Sequence, residues 1–260
     1  MMRLGRFGIG LIVPVVFFSL WWVLSENSAS PYFPPLRRTL AAFVEIWFFS
    51  RFFTDLLPSV SHFLSGLAIG VVLGVALGTL MGLFPRLRRD VSPMTEFVRA
   101  IPTAALVPLA LILFGTGFAM ETFLISLAVF FPILVSTTAG VRGVDQVYLE
   151  VAQSYGLSFT DRLWRVIVPA AAPHILAGCR VAIAFGLAAT VIANMVASGS
   201  GLGFFIVDAQ TSFRLPDMWA GLIMIGLLGY LANGAFILVE HRLLSWHRGW
   251  RGATRAARPE

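Results

Sequence analysis

The sequence predicts an all-α membrane protein, a single domain over residues 1–260 that crosses the bilayer about six times. Hydrophobic residues make up 58% of the chain and charged residues only 12%, whereas soluble domains carry about 25% charged residues. Apolar runs long enough to cross ~30 Å of hydrocarbon alternate with short polar segments. Most arginines stand at the ends of these runs. Composition, run length and charge placement therefore indicate an integral membrane protein rather than a nucleic-acid-binding one.

Six apolar runs are candidate spans. They cover residues 7–25, 59–84, 100–117, 120–141, 174–198 and 218–239, and a polar tail follows at 240–260. The alternative for the first run is a cleaved signal peptide, but the run exceeds the 7–15 apolar residues usual there, so we expect a retained span. Pro102 and Pro108 predict a kink in the third span. We expect a helix over 36–53 to lie on the membrane surface.

The second span carries a glycine at every fourth position. The stripe consists of Gly66, Gly70, Gly74, Gly78 and Gly82. Small residues at this spacing let a neighbouring helix approach closely. Packing within one bundle is favoured over a subunit interface, and Gly74→Leu is expected to impair assembly.

Arginine placement predicts the orientation. With the N-terminus in the cytoplasm, fifteen of the nineteen arginines fall on the cytoplasmic side, and only Arg37, Arg38, Arg51 and Arg214 fall outside. The positive-inside rule therefore places both termini and residues 144–173 in the cytoplasm. Arg180 is expected to extend its side chain toward that interface. Four tryptophans are expected as interface anchors: Trp21, Trp22, Trp47 and Trp219.

The sequence offers no catalytic or metal-binding pattern. All nineteen basic residues are arginine, and without lysine the chain can form neither a Walker A phosphate loop nor a Schiff base. Cys179 is the only cysteine and the four histidines are scattered, so no metal-ligand cluster is expected. We therefore expect a non-enzymatic chain with no metal and no cofactor of its own.

The longest polar segment between apolar runs, residues 144–173, predicts two short helices. Residues 145–155 are amphipathic, and Gly156 stands where a helix C′ position favours glycine. Ser158, three residues before Asp161, is typical of a cap for the second helix. Pro169 then leads into the next apolar run.

This segment resembles the EAA loop of ABC importer permeases. The motif has the order E-A-A, three residues, G, nine residues and I-x-L-P, and Val151 replaces one of its alanines. The matching residues are Glu150, Ala152, Gly156, Val166, Val168 and Pro169. Residues 99–102, 114–115 and 130–133 are similar to the nitrate, sulfonate and taurine branch of the same family. We refer to residues 144–173 as the coupling loop.

The resemblance implies a type I importer fold in a bacterial inner membrane. It implies two ATPase subunits that hold ATP and Mg²⁺, a second permease copy forming a homodimer, surrounding lipid and an extracytoplasmic solute-binding protein. In the coupling loop, Glu150 and Gln153 would meet a groove on the ATPase, Ala152 would allow close approach, and Gly156 would make the turn. Four further residues would anchor the loop to the bundle: Leu149, Tyr155, Leu163 and Trp164.

Polar residues within the spans are candidates for the solute path, because an unsatisfied polar group in lipid is costly. The candidates are Asn194, Asn233, Ser136, Thr137 and Thr190, with His62 and Ser126. The alternative is hydrogen bonding between helices. Family members often carry acids near positions 194 and 233, where this chain has amides, which argues against a bare cation as cargo. The resemblance implies a sulfonate-, nitrate- or taurine-like anion, or a vitamin precursor.

Two other classes of protein remain as alternatives. A self-powered secondary transporter or channel would need a series of ionisable residues in its spans, and none is evident. An intramembrane enzyme would need a nucleophile or metal constellation, which is also missing. The function expected is therefore the permease subunit of an ATP-driven importer.

Overall fold

The computed structural model describes residues 12, 15–16, 18–26, 30, 32–197 and 199–244. These residues form helices and connecting turns, with no strand among them, which confirms the all-α prediction. The helices are α1 (Leu36–Glu45), α2 (Leu57–Leu83), α3 (Pro85–Arg99), α4 (Val107–Phe114), α5 (Phe118–Arg142), α6 (Gln146–Ser154), α7 (Phe159–Arg162), α8 (Val168–Ala197), α9 (Leu202–Thr211) and α10 (Leu215–Leu243). Short π-helical turns occur at Ile46–Ser50, Phe52–Leu56 and Leu163–Ile167, and a 3-10 turn at Thr103–Leu106.

Four of the described helical segments are long and apolar enough to cross a membrane. They are Phe52–Leu83, Phe118–Arg142, Phe159–Val196 and Leu215–Leu243. A fifth span exists only if a bent helix pair is counted as one. In the predicted first span over 7–25, residues 12, 15–16 and 18–25 are helical and the others lie outside the described residues. Of the predicted tail, residues 240–243 belong to α10 and those after 244 lie outside the described residues.

The third predicted span, 100–117, is broken rather than kinked. The helices Pro85–Arg99 and Thr103–Phe114 meet at 86°. Proline disfavours a helical residue before it, and Pro102 itself is extended, with ψ 131°. Pro108 lies in the first turn of α4, where its missing N–H costs no hydrogen bond. Residues 85–90, which include three arginines, form the first part of α3.

The glycine stripe packs α2 against α5. A Cβ atom added at Gly70 would lie 2.6 Å from Val129 Cγ1, and one at Gly78 would lie 2.7 Å from Thr137 Cβ. The partners of the five glycines recur at every fourth residue of α5: Ile125, Val129, Ile133, Thr137 and Val141. Along the contact the residue numbers of α2 and of α5 increase in the same direction, so the two helices run parallel. The stripe is thus covered by the chain's own bundle.

Helix α8 packs on α5 through glycines as well. A Cβ at Gly178 would lie 2.6 Å from Ser136 Cβ, and one at Gly140 would lie 2.6 Å from His174 Cβ. The central apolar core lies where α2, α5 and α8 meet. Its fully buried members include Ile125, Val129 and Ile133. These three helices form the centre of the molecule.

Helix α10 lies at the periphery, antiparallel to α8. Only 6% of its most apolar stretch is buried within the chain. Arg180 of α8 forms an ion pair with Glu240 near the end of α10. Glu240 on the neighbouring helix thus holds the half-exposed Arg180 side chain, and the expectation that this side chain extends toward the interface stays a prediction.

Two tryptophans expected as interface anchors are instead buried. Trp47 is 2% exposed, donates from Nε1 to the Ala220 carbonyl at 3.2 Å and packs on Phe205. Trp21 is 7% exposed and lies against Trp219. Trp21 in residues 18–26 and Trp47 in the turn Ile46–Ser50 both contact α10, so packing between helices, rather than the membrane interface, sets the position of their rings.

Candidate functional site: the coupling loop and the distal polar network

The first helix of the coupling loop, α6, is capped at both ends by its own sequence. The Asp145 side chain accepts from Val147 N at 3.0 Å. At the other end, Gly156 N donates to the Gln153 carbonyl at 2.9 Å and Leu157 N to the Ala152 carbonyl at 3.1 Å. This pair of bonds is a Schellman motif. Gly156 has φ +70° with open space around it, so the position favours glycine for its backbone conformation and not for lack of room.

The second helix of the loop is continuous with a membrane span. Ser158 caps α7 by accepting from Asp161 N at 3.2 Å. The chain then passes through one π-helical turn into α8, and the whole segment Phe159–Val196 is helical. Pro169 lies in the first turn of α8, where its missing N–H is tolerated. Any force on α7 therefore acts directly on the span.

The coupling loop has one face packed on the bundle. Leu149 and Leu163 pack against a cluster formed by Val141, Ile167 and Ala171. Ala152 is only 4% exposed. Its small side chain is thus covered by its own chain, and its predicted role in a close approach of the partner stays a prediction.

The opposite face of the loop is exposed. Glu150 and Gln153 lie on it, as expected for residues that meet a partner. Tyr155 and Trp164 are 82% and 65% exposed. The prediction that these two aromatic residues anchor the loop to the bundle is therefore wrong, because the Gly156 turn directs this part of the loop away from the bundle.

A buried polar network lies at the other end of the bundle, which we call the distal end. Ser59 Oγ donates to Asn194 Oδ1 at 2.7 Å, and Asn194 Nδ2 donates to Glu121 Oε2. The same carboxylate oxygen lies 2.5 Å from His62 Nδ1. Ser59, Glu121 and Asn194 are each at most 1% exposed. The network joins α2, α5 and α8.

The same network fastens the start of α9. Leu202 N donates to Ser59 Oγ at 2.9 Å, and Gly201 N donates to Asp55 Oδ1 at 2.8 Å. Gly201 has φ +105°, and a Cβ there would lie 2.6 Å from Asn194 Oδ1. Two side chains from another part of the chain therefore satisfy N–H groups at this helix start, which its own residues leave without a cap.

The structure separates the other predicted path residues. Thr137 packs under Gly78 in the glycine stripe. Thr190 Oγ1 donates to the Gly186 carbonyl of its own helix at 2.9 Å. Asn233 lies on the far side of α8 in a groove with Arg180. These three residues do not line one site with Asn194.

Ser136 alone among the predicted path residues lines a cavity between α5, α8 and the residues that precede α4. This cavity has a volume of about 750 Å³ and lies where the break between α3 and α4 faces α5 and α8. Its wall is mainly apolar, with Arg99, Glu96, Thr103 and Ser136 as polar members. Arg99 Nε donates to Glu96 Oε2 at 2.8 Å.

The sequence did not predict two carboxylates of the distal network, those of Glu121 and Asp55. Glu121 stands at the start of an apolar run and Asp55 ahead of one, so each is typical of a solvated residue at a helix end. Both are 1% exposed. The only sequence signal was His62 within a span, because a buried ionisable residue requires a partner.

Comparison with known proteins gives a consistent family. Residues 70–245 match the model of the binding-protein-dependent transport system inner membrane component. The chain is 33% identical to the taurine transport system permease protein TauC of Escherichia coli over 89% of its own length and 87% of the relative. It is 31% identical to the putative aliphatic sulfonates transport permease protein SsuC of Bacillus subtilis, over 94% and 89%. A bicarbonate transport system permease protein, CmpB of Synechococcus elongatus, is 30% identical over 93% and 89%.

Solved structures show the same fold. An inward-facing MetNI methionine ABC transporter superposes with a TM-score of 0.65 over 73% of this chain and 94% of that chain, at 16% identity. An amino acid ABC transporter gives 0.56 over 79% and 94%, at 17% identity. Together with the family match, these similarities confirm the type I importer fold and the multi-pass character. The chain belongs to the family of binding-protein-dependent transport system inner membrane components, and it is the membrane permease subunit of an ABC importer.

Proposed function

We propose that this permease carries a small anion, and that its coupling loop transmits the movement of separate ATPase subunits to α8. One observation supports the coupling role above the others. The loop presents an exposed, capped helix whose neighbour α7 runs unbroken into a membrane span. A rigid connection of this kind moves as a body when a partner pushes on it.

The proposed orientation places the coupling loop in the cytoplasm and the distal end outside. The charge bias of the sequence supports it. Glu121 and Arg142 lie near opposite ends of α5, and at 1.5 Å per residue this separation is about 30 Å, the thickness of the hydrocarbon core. Both termini are then cytoplasmic, and ATP is available on the side of the loop.

The exposed face of the coupling loop has the composition of an interface. Val147 and Val151 are 58% and 48% exposed, and Tyr155 on the same loop is 82% exposed. Apolar side chains grouped on a water-facing helix mark a contact with another protein. We assign this face to an ATPase subunit, with Glu150 and Gln153 as polar contacts. Each of two permease copies would hold one ATPase, which would carry the ATP and Mg²⁺.

We assign the cavity at the break between α3 and α4 as the half of the solute path that one permease copy contributes. Its walls come from α5, α8 and the α3–α4 break, and a second copy would close its open side. The relatives are named for taurine, aliphatic sulfonates and bicarbonate, all of them small anionic or zwitterionic solutes. Ser136 can donate a hydrogen bond, and the Arg99 guanidinium at the rim, although paired with Glu96, is a further N–H donor, so we assign a sulfonate-like anion to this wall.

The test compares two substitutions at Gly156 in proteoliposomes that contain the complete importer. Gly156→Leu forces a branched side chain into a left-handed conformation and should reduce ATP-driven uptake of taurine and an alkanesulfonate at least tenfold. Gly156→Asn adds a side chain that tolerates this conformation and should keep uptake within about twofold. Normal uptake by the leucine variant would count against the coupling role. Uptake by the permease without ATPase subunits would favour a self-powered transporter instead.

A further inference from the structure

The turn between α9 and α10 holds the chain in an unfavourable conformation. Phe213 has φ +53° and is the one residue other than glycine with positive φ among the described residues. A left-handed conformation is unfavourable for a bulky side chain. The ring is 75% exposed, so packing within this chain does not compensate for the strain.

The backbone of this turn matches the turn after α6. Phe213 N donates to the Gln210 carbonyl at 3.1 Å, and Arg214 N donates to the Ala209 carbonyl at 2.8 Å. These are the two bonds of a Schellman motif, with Phe213 at the C′ position that Gly156 occupies in the coupling loop. The chain therefore uses glycine at one such turn and an exposed aromatic residue at the other, although glycine would fit both.

Charged groups hold the turn rigidly. The Arg214 guanidinium bonds to Asp208 of α9 and, at 3.0 Å, to Asp217 of α10. It thus ties the end of one helix to the start of the next. Phe213 therefore stands next to an arginine that connects α9 with α10.

The turn lies at the distal end. Helices α8 and α10 are antiparallel, because Arg180 pairs with Glu240, so the start of α10 lies at the same end as Asn194. In the proposed orientation this end faces the outside. Backbone strain that the surrounding structure holds in place, as the Arg214 pairs do here, is typical of functional contacts.

We propose that Phe213 is an anchor that inserts into an apolar pocket on the extracytoplasmic solute-binding protein, with the Arg214 and Asp208 charges around it as a polar rim. We assign a solute-binding protein as the partner of Phe213 because transport in this family depends on a binding protein. A buried aromatic anchor inside a polar rim is the usual composition of a protein–protein hot spot. Lipid is the less favoured contact for the Phe213 side chain, because a fluid surface does not require a strained residue at a fixed position. This inference rests on the proposed orientation.

The test measures ATP hydrolysis by the reconstituted importer as its purified solute-binding protein is titrated. Phe213→Gly and Phe213→Asn both relieve the backbone strain and remove the ring. We expect either to raise the binding-protein concentration for half-maximal stimulation about tenfold, while the thermal stability of the complex is unchanged or higher. Phe213→Trp should retain the wild-type value. An unchanged titration with Phe213→Gly would overturn the proposal.

A matched control uses Phe49, which is 82% exposed in the π-helical turn following α1. Phe49→Ala should leave the titration unchanged. An equal loss in Phe49→Ala and Phe213→Gly would assign the effect to membrane contact and overturn the proposal.

A labelling experiment separates this inference from the orientation on which it rests. In a Cys179→Ser background, Ser212→Cys should react with a membrane-impermeant maleimide added outside, and Ser154→Cys should react only after the membrane is opened. Failure of this pattern would overturn the orientation and the anchor together. The expected pattern with an unchanged Phe213→Gly titration would overturn the anchor alone.

Discussion

Single polar residues fix the distal end of this bundle. Asn194 both donates to Glu121 and accepts from Ser59, so one amide joins three helices. An amide can do this because it carries a donor and an acceptor on the same planar group. The buried carboxylate is satisfied by the Asn194 amide and the His62 ring, which is the condition for keeping a charge out of water.

Asn194→Ala is expected to destabilise the complex. The change leaves Glu121 and Ser59 with one fewer partner in a buried site, which costs about 1–3 kcal/mol. The measurement is the thermal unfolding midpoint of the detergent-purified protein. Thr211→Ala is the control, because the exposed Thr211 hydroxyl bonds only to carbonyls of its own helix. Equal midpoints for the two variants would contradict a structural role for the network.

The sequence could identify Asn194 and His62 but not the carboxylate that joins them. Polar residues inside an apolar run stand out from hydropathy alone. Glu121 begins its helix and Asp55 precedes one, so hydropathy places both at a solvated end. Asp55 is bonded by Gly201 N, and Glu121 by His62 and Asn194, and these are long-range contacts with no local pattern.

At the level of the element, the pairing of α2 with α5 is the clearest link between sequence and packing. A glycine at each turn of α2 meets a branched residue at each turn of α5. Gly74 is the middle of the stripe, and its added Cβ would lie 2.9 Å from Ile133 Cγ2. The four-residue spacing predicted a close approach; the parallel partner could not be predicted, because the facing residues lie about 60 positions away.

Gly74→Leu should therefore prevent stable folding of the bundle. A side chain at this position must push α2 away from α5, whose backbone lies 3.0 Å from the added Cβ at the Phe130 carbonyl. The measurement is the yield of monodisperse protein after gel filtration, expected to fall at least fivefold. Gly226→Leu is the control, since nothing lies within 4 Å of a Cβ there. A normal yield for Gly74→Leu would show that the stripe is not a tight contact.

The broken third span shows where local signals compete. Hydropathy favoured one helix over 100–117, whereas Pro102 removes a donor and excludes the helical conformation before it. In the structure the helix is interrupted at Pro102, and the helices Pro85–Arg99 and Thr103–Phe114 meet at 86°. The result is the cavity wall that contains Arg99 and Thr103. Pro102, which interrupts the predicted helix, therefore shapes the wall of the proposed solute path.

At the scale of the whole molecule, one helix connects the two functional ends. The segment Phe159–Val196 begins in the coupling loop and ends beside the distal network. A displacement of α7 can therefore reach Asn194 along one continuous helical segment. This continuity gives a physical route by which ATP hydrolysis on one side of the membrane changes the bundle on the other.

The most direct measurement of the central claim is the ATPase activity that remains bound to the permease after purification in mild detergent. We compare wild type, Gly156→Asn, Gly156→Leu with Glu150→Ala, and the distal-end control Ser212→Ala. The account predicts bound activity in wild type, Gly156→Asn and Ser212→Ala, and a loss of at least tenfold in the variant that changes Gly156 to Leu and Glu150 to Ala. Equal bound activity in all four would contradict the assignment of residues 144–173 as the contact with the ATPase.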